Sequence, residues 1–151
     1  MTPIAVRTAR TEDLPALVAL LAELFALEPD FAVDPARQRR GLELLLEDRL
    51  RRTVIVAEAG GTILGMVTGQ LVVSTAEGAA SVWVEDMVVT SSARRGGVGR
   101  RLLRAVEEWG KGRGATRLQL LADRENAAAL AFYRARGWDG TRMVCLRRRA
   151  P

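Results

Sequence analysis

SVWVEDMVVTSSARRGGVGRRLLRAVEEW, residues 81–109, holds a β-rich run, a glycine-rich turn and the start of a helix in direct succession. Its first nine residues are β-rich, and alternation puts Trp83, Glu85 and Met87 on one face and Val84, Asp86 and Val88 on the other. TSSA then leads into Arg94, Arg95, Gly96, Gly97, Val98 and Gly99, and a helix opens directly, with Val98, Leu102, Val106 and Trp109 along one side. Glycines let a backbone turn tightly and approach a ligand, while the first amides of a helix have no partner within it. A strand, a glycine turn and a helix N-terminus in succession therefore predict an anion site, with Arg94, Arg95, Arg100 and Arg101 adding charge. A pyrophosphate suits such a site. The spacing is neither the GxxxxGKS/T of a P-loop nor the GxGxxG of a dinucleotide fingerprint.

Working outward, TVIVAEA (53–59), the pair Gly60 and Gly61, and TILGMVTGQLVVS (62–74) predict a hairpin with a two-residue turn, and AEGAA a further turn. Upstream, IAVRTA (4–9) alternates like a short strand, and Thr11 offers a helix N-cap. Leu14, Leu17, Val18, Leu21, Leu24 and Phe25 then recur at helical spacing through Leu27, with Pro15 tolerated in the first turn. EPDFAVDP (28–35) is an acidic loop, and a second helix is expected from about Ala36 to Arg51 with Leu42, Leu45, Leu46 and Leu50 inward.

Downstream, Gly110, Gly112 and Gly114 end the third helix, and RLQLLA (117–122) is a strand. A short helix from Asn126 to Arg136 stops at Gly137, and MVCLR (143–147) is expected to close the sheet, with Cys145 a small apolar residue in it. Trp83 and Trp109 fall where their elements would bury them. This order predicts one α/β domain over 1–151: a mixed, mostly antiparallel sheet of six or seven strands, flanked on both faces by about four helices.

Composition narrows the chemistry. The 151 residues are 48% hydrophobic and 27% charged, without an apolar run that could span a bilayer or a secretory stretch at MTPIAVRTAR, so a soluble, cytoplasmic protein is expected. Histidine is absent, which excludes Ser-His-Asp and Cys-His nucleophilic mechanisms and histidine-ligated zinc; no metal is expected. The lone Cys145 forms no intrachain disulfide, in keeping with a reducing compartment. Charge is divided: residues 1–90 carry 8 basic and 13 acidic side chains, and residues 91–151 carry 15 and 5, giving −5 and +10. A basic half attracts nucleic acid, a membrane surface or a small polyanion.

Arg94, Gly97 and Gly99 meet the pattern R/Q-x-x-G-x-G/A, and Asn126, Phe132, Tyr133, Gly137 and Trp138 follow in that order. In these features the chain resembles the GNAT superfamily of acyl-CoA-dependent N-acyltransferases. It departs from the family at Arg95, often glycine, at Gly96, often basic, and at Ala93, where a larger residue is common. The resemblance implies acetyl-CoA as co-substrate and direct transfer of its acetyl group to a primary amine through a ternary complex. It places pyrophosphate on Arg94, Arg95, Gly96, Gly97, Val98, Gly99 and Arg100, and runs the backbone of Met87, Val88 and Val89 along pantetheine. A bulge in SVWVEDMVV would splay that strand from RLQLLA, and Asn126 would touch CoA or cap its helix.

Glu85 is the expected general base, acting directly or through water, with Asp86 as the alternative or as a substrate anchor. Tyr133 is the expected general acid, since a phenol of pKa about 10 is protonated at neutral pH; its other reading is a core aromatic beside Phe132. Acceptors in this family bind near the first two helices. Here Glu28, Asp30 and Asp34, with Glu85 and Asp86, would attract a small cationic amine such as a polyamine, a diamine or an aminoglycoside. LEDRL and VEDMVV look similar to the diamine acetyltransferases. Other readings are transfer to a peptide N-terminus or lysine, an arginine-rich nucleic-acid module, and an acyl-CoA sensor without catalysis. Neither a membrane nor nucleic acid is an expected partner. Many members dimerise through terminal strands or helices, a point that MVCLRRRAP leaves open.

Overall fold

β1 (Ala5–Thr8) leads through a 3-10 turn at Thr11–Asp13 into α1 (Leu14–Leu27), and α2 (Pro35–Glu47) follows. Then come β2 (Arg52–Ala59), β3 (Thr62–Ser74), β4 (Ala79–Val84), β5 (Met87–Val89), a 3-10 turn at Ser91–Ala93, α3 (Val98–Lys111) and β6 (Ala115–Leu120). These elements form one compact unit ending at Leu120; a second runs from Leu121 to Pro151 and holds α4 (Ala127–Arg134). The structure is a computed structural model and describes residues 2–151. No helix among those residues is long and apolar enough to cross a membrane.

Six strands form one sheet in the order β1-β2-β3-β4-β6, with β5 also on β3. Among the described residues only β4 and β6 run parallel. The sheet is thus mixed and mostly antiparallel, as expected. Gly60 and Gly61, at φ +57° and +81°, close the β2–β3 hairpin in the left-handed conformation that a two-residue turn needs at both positions.

Val54 and Val56 of β2 and Met66 of β3 face α1 and α2, packing with Leu14, Leu17, Leu20, Leu21, Leu42 and Val88. Neighbouring strand residues point the opposite way, and there α3 sits close. A Cβ at Gly65 would lie 3.1 Å from Leu102, one at Gly69 would lie 2.9 Å from Val106, and one at Gly110 would collide with Val82. Glycine at these three positions lets helix and sheet approach. The N-terminal end is tied by Arg7, which pairs with Asp13 at 2.8 Å and Glu58 at 2.6 Å.

Four local expectations change. Thr11 does not cap α1; Asp13 instead accepts the Arg10 amide at 2.7 Å while holding Arg7, and the chain enters through a 3-10 turn. α2 stops at Glu47 because the Asp48 carboxylate takes the amides of Leu50 and Arg51, turning the chain and leaving Leu50 79% exposed. Trp83 and Trp109 are only half-buried: the first donates its indole N–H to Glu85, and the second lies under the Arg113 guanidinium at 4.6 Å.

The largest change is at the C-terminus. Residues 143–147 form no strand in the described structure, and Met143, Val144, Cys145 and Leu146 are exposed. β-rich composition becomes a strand only where a ladder partner completes its hydrogen bonds, so propensity alone did not decide this segment.

Candidate active site

The centre of the site is a one-residue mismatch. Trp83 pairs with Gln70 and Met87 with Val67, so a step of four residues on β4 and β5 faces a step of three on β3. Val84, Glu85 and Asp86 absorb the extra residue as a bulge. Thr68, fully buried, locks it from both sides: its amide donates to the Asp86 carbonyl at 2.9 Å, and its hydroxyl accepts from the Asp86 amide at 3.0 Å. Beyond the bulge the ladder divides. β6 follows β4 as far as Val84↔Leu120, while β5 pairs with β3.

The bulge gives two adjacent carboxylates different environments. Glu85 is exposed and accepts the Trp83 indole N–H at 2.7 Å. Asp86 turns inward, and its carboxyl is pushed up to about 7, first by burial and then by the negative charges of Glu85 and Glu28. Glu28 stands at the C-terminal cap of α1, so the end of that helix is brought to the strand break. Asp30 is exposed and is not among the charges acting on Asp86. Asp34 has a structural task, accepting the Arg37 amide at 3.2 Å as the N-cap of α2.

After β5, whose Val88 is buried and whose Met87 and Val89 are half-buried, the chain turns into the arginine-glycine loop. Arg94 bends back so that its Nε donates to the Val89 carbonyl at 3.2 Å. Arg95, at the position where the family often has glycine, adopts φ +64°, a left-handed conformation costly for a residue with a Cβ. Gly97 is also left-handed, at φ +80°, and caps α3. A Cβ on Gly96 would meet the Ala93 carbonyl at 3.4 Å.

Arg95 and Arg100 are exposed, and the Arg100 guanidinium lies 3.8 Å from where a Gly97 Cβ would stand. Arg101 instead donates to the Ile4 carbonyl at 3.2 Å. Val98 is buried and Gly99 half-buried, so Val98 offers a ligand its backbone only. The loop, with two left-handed turns, a helix N-terminus and exposed guanidiniums, fits the pyrophosphate of a CoA molecule.

One contact is absent from the sequence reading. Glu23 of α1 accepts the Thr90 hydroxyl at 2.8 Å and the Ser91 amide at 3.3 Å, joining the helix that carries Glu28 to the start of the loop. Apart from the charge of an i−5 neighbour of Glu28, no local signal marks it, because its partners lie 67 and 68 residues away.

In the second unit, Asn126 caps α4 by accepting the Ala129 amide at 3.0 Å. At the other end, Gly137 at φ +84° donates to Arg134 and Trp138 donates to the Tyr133 carbonyl, the paired bonds of a Schellman cap. The hydrophobic contact of that cap is Tyr133 against Trp138, with ring centroids 5.7 Å apart; Phe132 meets Tyr133 edge-on at 5.3 Å. The Asn, Tyr and Gly-Trp of the motif are thus the two caps of one short helix.

Residues 21–138 match the acetyltransferase (GNAT) family. The chain is 27% identical over 119 residues to the aminoglycoside N(6')-acetyltransferase type 1 of Salmonella typhimurium (strain LT2), covering 77% of this chain and 81% of that protein. It is 30% identical over 123 residues to the IAA acetyltransferase of Azospirillum brasilense, covering 82% and 76%. Among solved structures, an aminoglycoside N-acetyltransferase in complex with CoA superposes with a TM-score of 0.82 at 20% identity, covering 99% of this chain and 96% of that one. Named relatives of the aminoglycoside type replace the diamine branch as the point of comparison. With its match spanning most of the sheet, the loop and α4, the chain belongs to the GNAT family and is an acetyl-CoA-dependent N-acetyltransferase.

Proposed function

We propose that the enzyme acetylates the primary amine of a small cationic acceptor, with Asp86 rather than Glu85 taking the ammonium proton. The observation that carries this reading is the environment of Asp86: half-buried at the strand break, raised to about 7 by burial and by Glu85 and Glu28. A base must be ionised often enough to work and basic enough to accept a proton, and a carboxyl near neutral pH meets both needs. Glu85 and Glu28 add negative potential that draws a cation toward it. Aminoglycosides are one such class, and relatives of this chain bear their name.

Acetyl-CoA supplies the activated acetyl group when bound. Arg95, Arg100 and the amides at Gly97–Gly99 would hold its pyrophosphate, and the backbone of Met87, Val88 and Val89 would orient the chain leading to the thioester. Arg94 is better suited to bracing the loop on Val89. Tyr133 is proposed to donate the proton that the departing sulfur needs, since a phenol stays protonated at neutral pH. Asn126 is proposed to touch CoA with the capacity left over from capping α4.

The test is release of free thiol from acetyl-CoA across amines, aminoglycosides, amino acids and peptide N-termini. Turnover with small cationic amines is the expected result. Turnover confined to peptides would overturn the acceptor class. Tyr133→Phe should cut turnover while leaving acetyl-CoA binding, followed by thermal shift, nearly intact.

A further inference from the structure

The segment that brings Glu28 to Asp86 also carries an apolar surface. Leu27, Phe31 and Val33 are 68%, 44% and 47% exposed, three large hydrophobic side chains within seven residues. Single exposed apolar residues are ordinary, but three in one short segment that also carries Glu28 have a use. The turn is held to Glu28 itself: the Phe31 amide donates to the Glu28 carbonyl at 3.3 Å, and the Phe31 ring packs on Phe25 at 5.3 Å. Phe25 in turn packs against the core, so the exposed ring is fixed in place. The same short segment thus offers one carboxylate toward the reacting amine and hydrocarbon next to it.

We propose that the preferred acceptor is a primary amine with an apolar body, an alkylamine or arylalkylamine, whose ammonium meets Glu28 and Asp86 while its hydrocarbon lies against Leu27, Phe31 and Val33. This rests on the amine-acetylating reading above and narrows it. A polyhydroxylated or multiply charged acceptor would leave that surface wet and gain nothing from it. An apolar body would cover it, and each buried methylene would add to transition-state binding.

The experiment compares kcat/KM at saturating acetyl-CoA for ethylamine, butylamine, hexylamine and phenethylamine against putrescine and kanamycin. The expected result is a rise of about two- to threefold per added methylene along the alkyl series. Phe31→Ser should flatten that rise and Phe31→Leu should restore it, with Val33→Ser as an independent second variant. Val73→Ser, at another exposed apolar site near the end of β3, is the control and should leave the rise unaltered. A flat or falling series, with putrescine or kanamycin preferred, overturns the apolar acceptor while leaving amine acetylation standing. No thiol release from any amine overturns both.

Discussion

Asp86 and Glu85 are neighbours with the same chemistry and different burdens. The bulge turns one inward, where losing water and facing two other carboxylates disfavours its charge, and leaves the other at the surface with an indole partner. Because Asp86 is raised to about 7, kcat/KM should climb with pH through that value, and Asp86→Asn should remove this limb and lower turnover by about 10²-fold or more. The sign for stability is opposite. Between the ordinary carboxyl pKa near 4 and the raised value, the unfolded chain gives up its proton first, so this group costs stability as pH rises. Asp86→Asn should therefore gain thermal stability relative to the parent at pH 8 and little at pH 4. A pH profile without a step near 7 would remove Asp86 from the base role. At Arg95 the left-handed backbone penalises a Cβ, so Arg95→Gly should be more stable to unfolding by about 0.5–1 kcal/mol, while KM for acetyl-CoA rises with loss of the guanidinium. A fall in stability would show that the side chain outweighs the strain.

At the scale of elements, α1 is a joint between the two sides of the site. Its C-terminus presents Glu28 to Asp86, and Glu23, little more than a turn earlier, grips Thr90 and Ser91 where the loop begins. Glu23 touches neither reacting group, so it is a positioning residue. Glu23→Ala should raise KM for acetyl-CoA about five- to tenfold with a smaller change in kcat, equivalent to roughly 1 kcal/mol of lost loop order. Glu23→Gln, which keeps an acceptor oxygen for Thr90, should recover part of the loss. An unchanged KM with a lowered melting temperature would assign Glu23 to folding alone. The bulge is likewise held by a distant partner: the additional residue between β4 and β5 is pinned by Thr68 of β3.

Charge is divided along the chain. The acidic N-terminal part holds Glu28 and Asp86, and the basic C-terminal part begins at the loop proposed to take pyrophosphate, −5 against +10. Among the basic residues of the acidic part, Arg7 ties β1 and β2 to the entry of α1 through Asp13 and Glu58. The hydrogen bond from Arg7 holds the Asp13 carboxyl below its ordinary range. A depressed carboxyl contributes stability above its unfolded pKa of about 4 and loses it as pH falls through the folded value. Arg7→Met should therefore be less stable than the parent by about 1–2 kcal/mol at pH 7, and the gap should narrow below about pH 4. Chemical denaturation at the two pH values measures it, and an equal gap at both would sink the linkage.

Local features were legible in the chain. Gly60 and Gly61 marked the hairpin turn, leucine spacing marked the helices, and RRGGVG between a β-rich run and a helix marked the turn into α3, because each is set by residues adjacent in the chain. Which of two adjacent carboxylates turns inward, which distant acid braces the loop, and whether the MVCLR run finds a ladder partner depend on segments far apart in the chain. Alternation placed Glu85 and Asp86 on opposite faces but could not weigh them, since a carboxyl's pKa depends on burial and on charges 58 residues away, as at Glu28. Strand pairing is likewise a contact between segments, and composition supplies only one of the two partners.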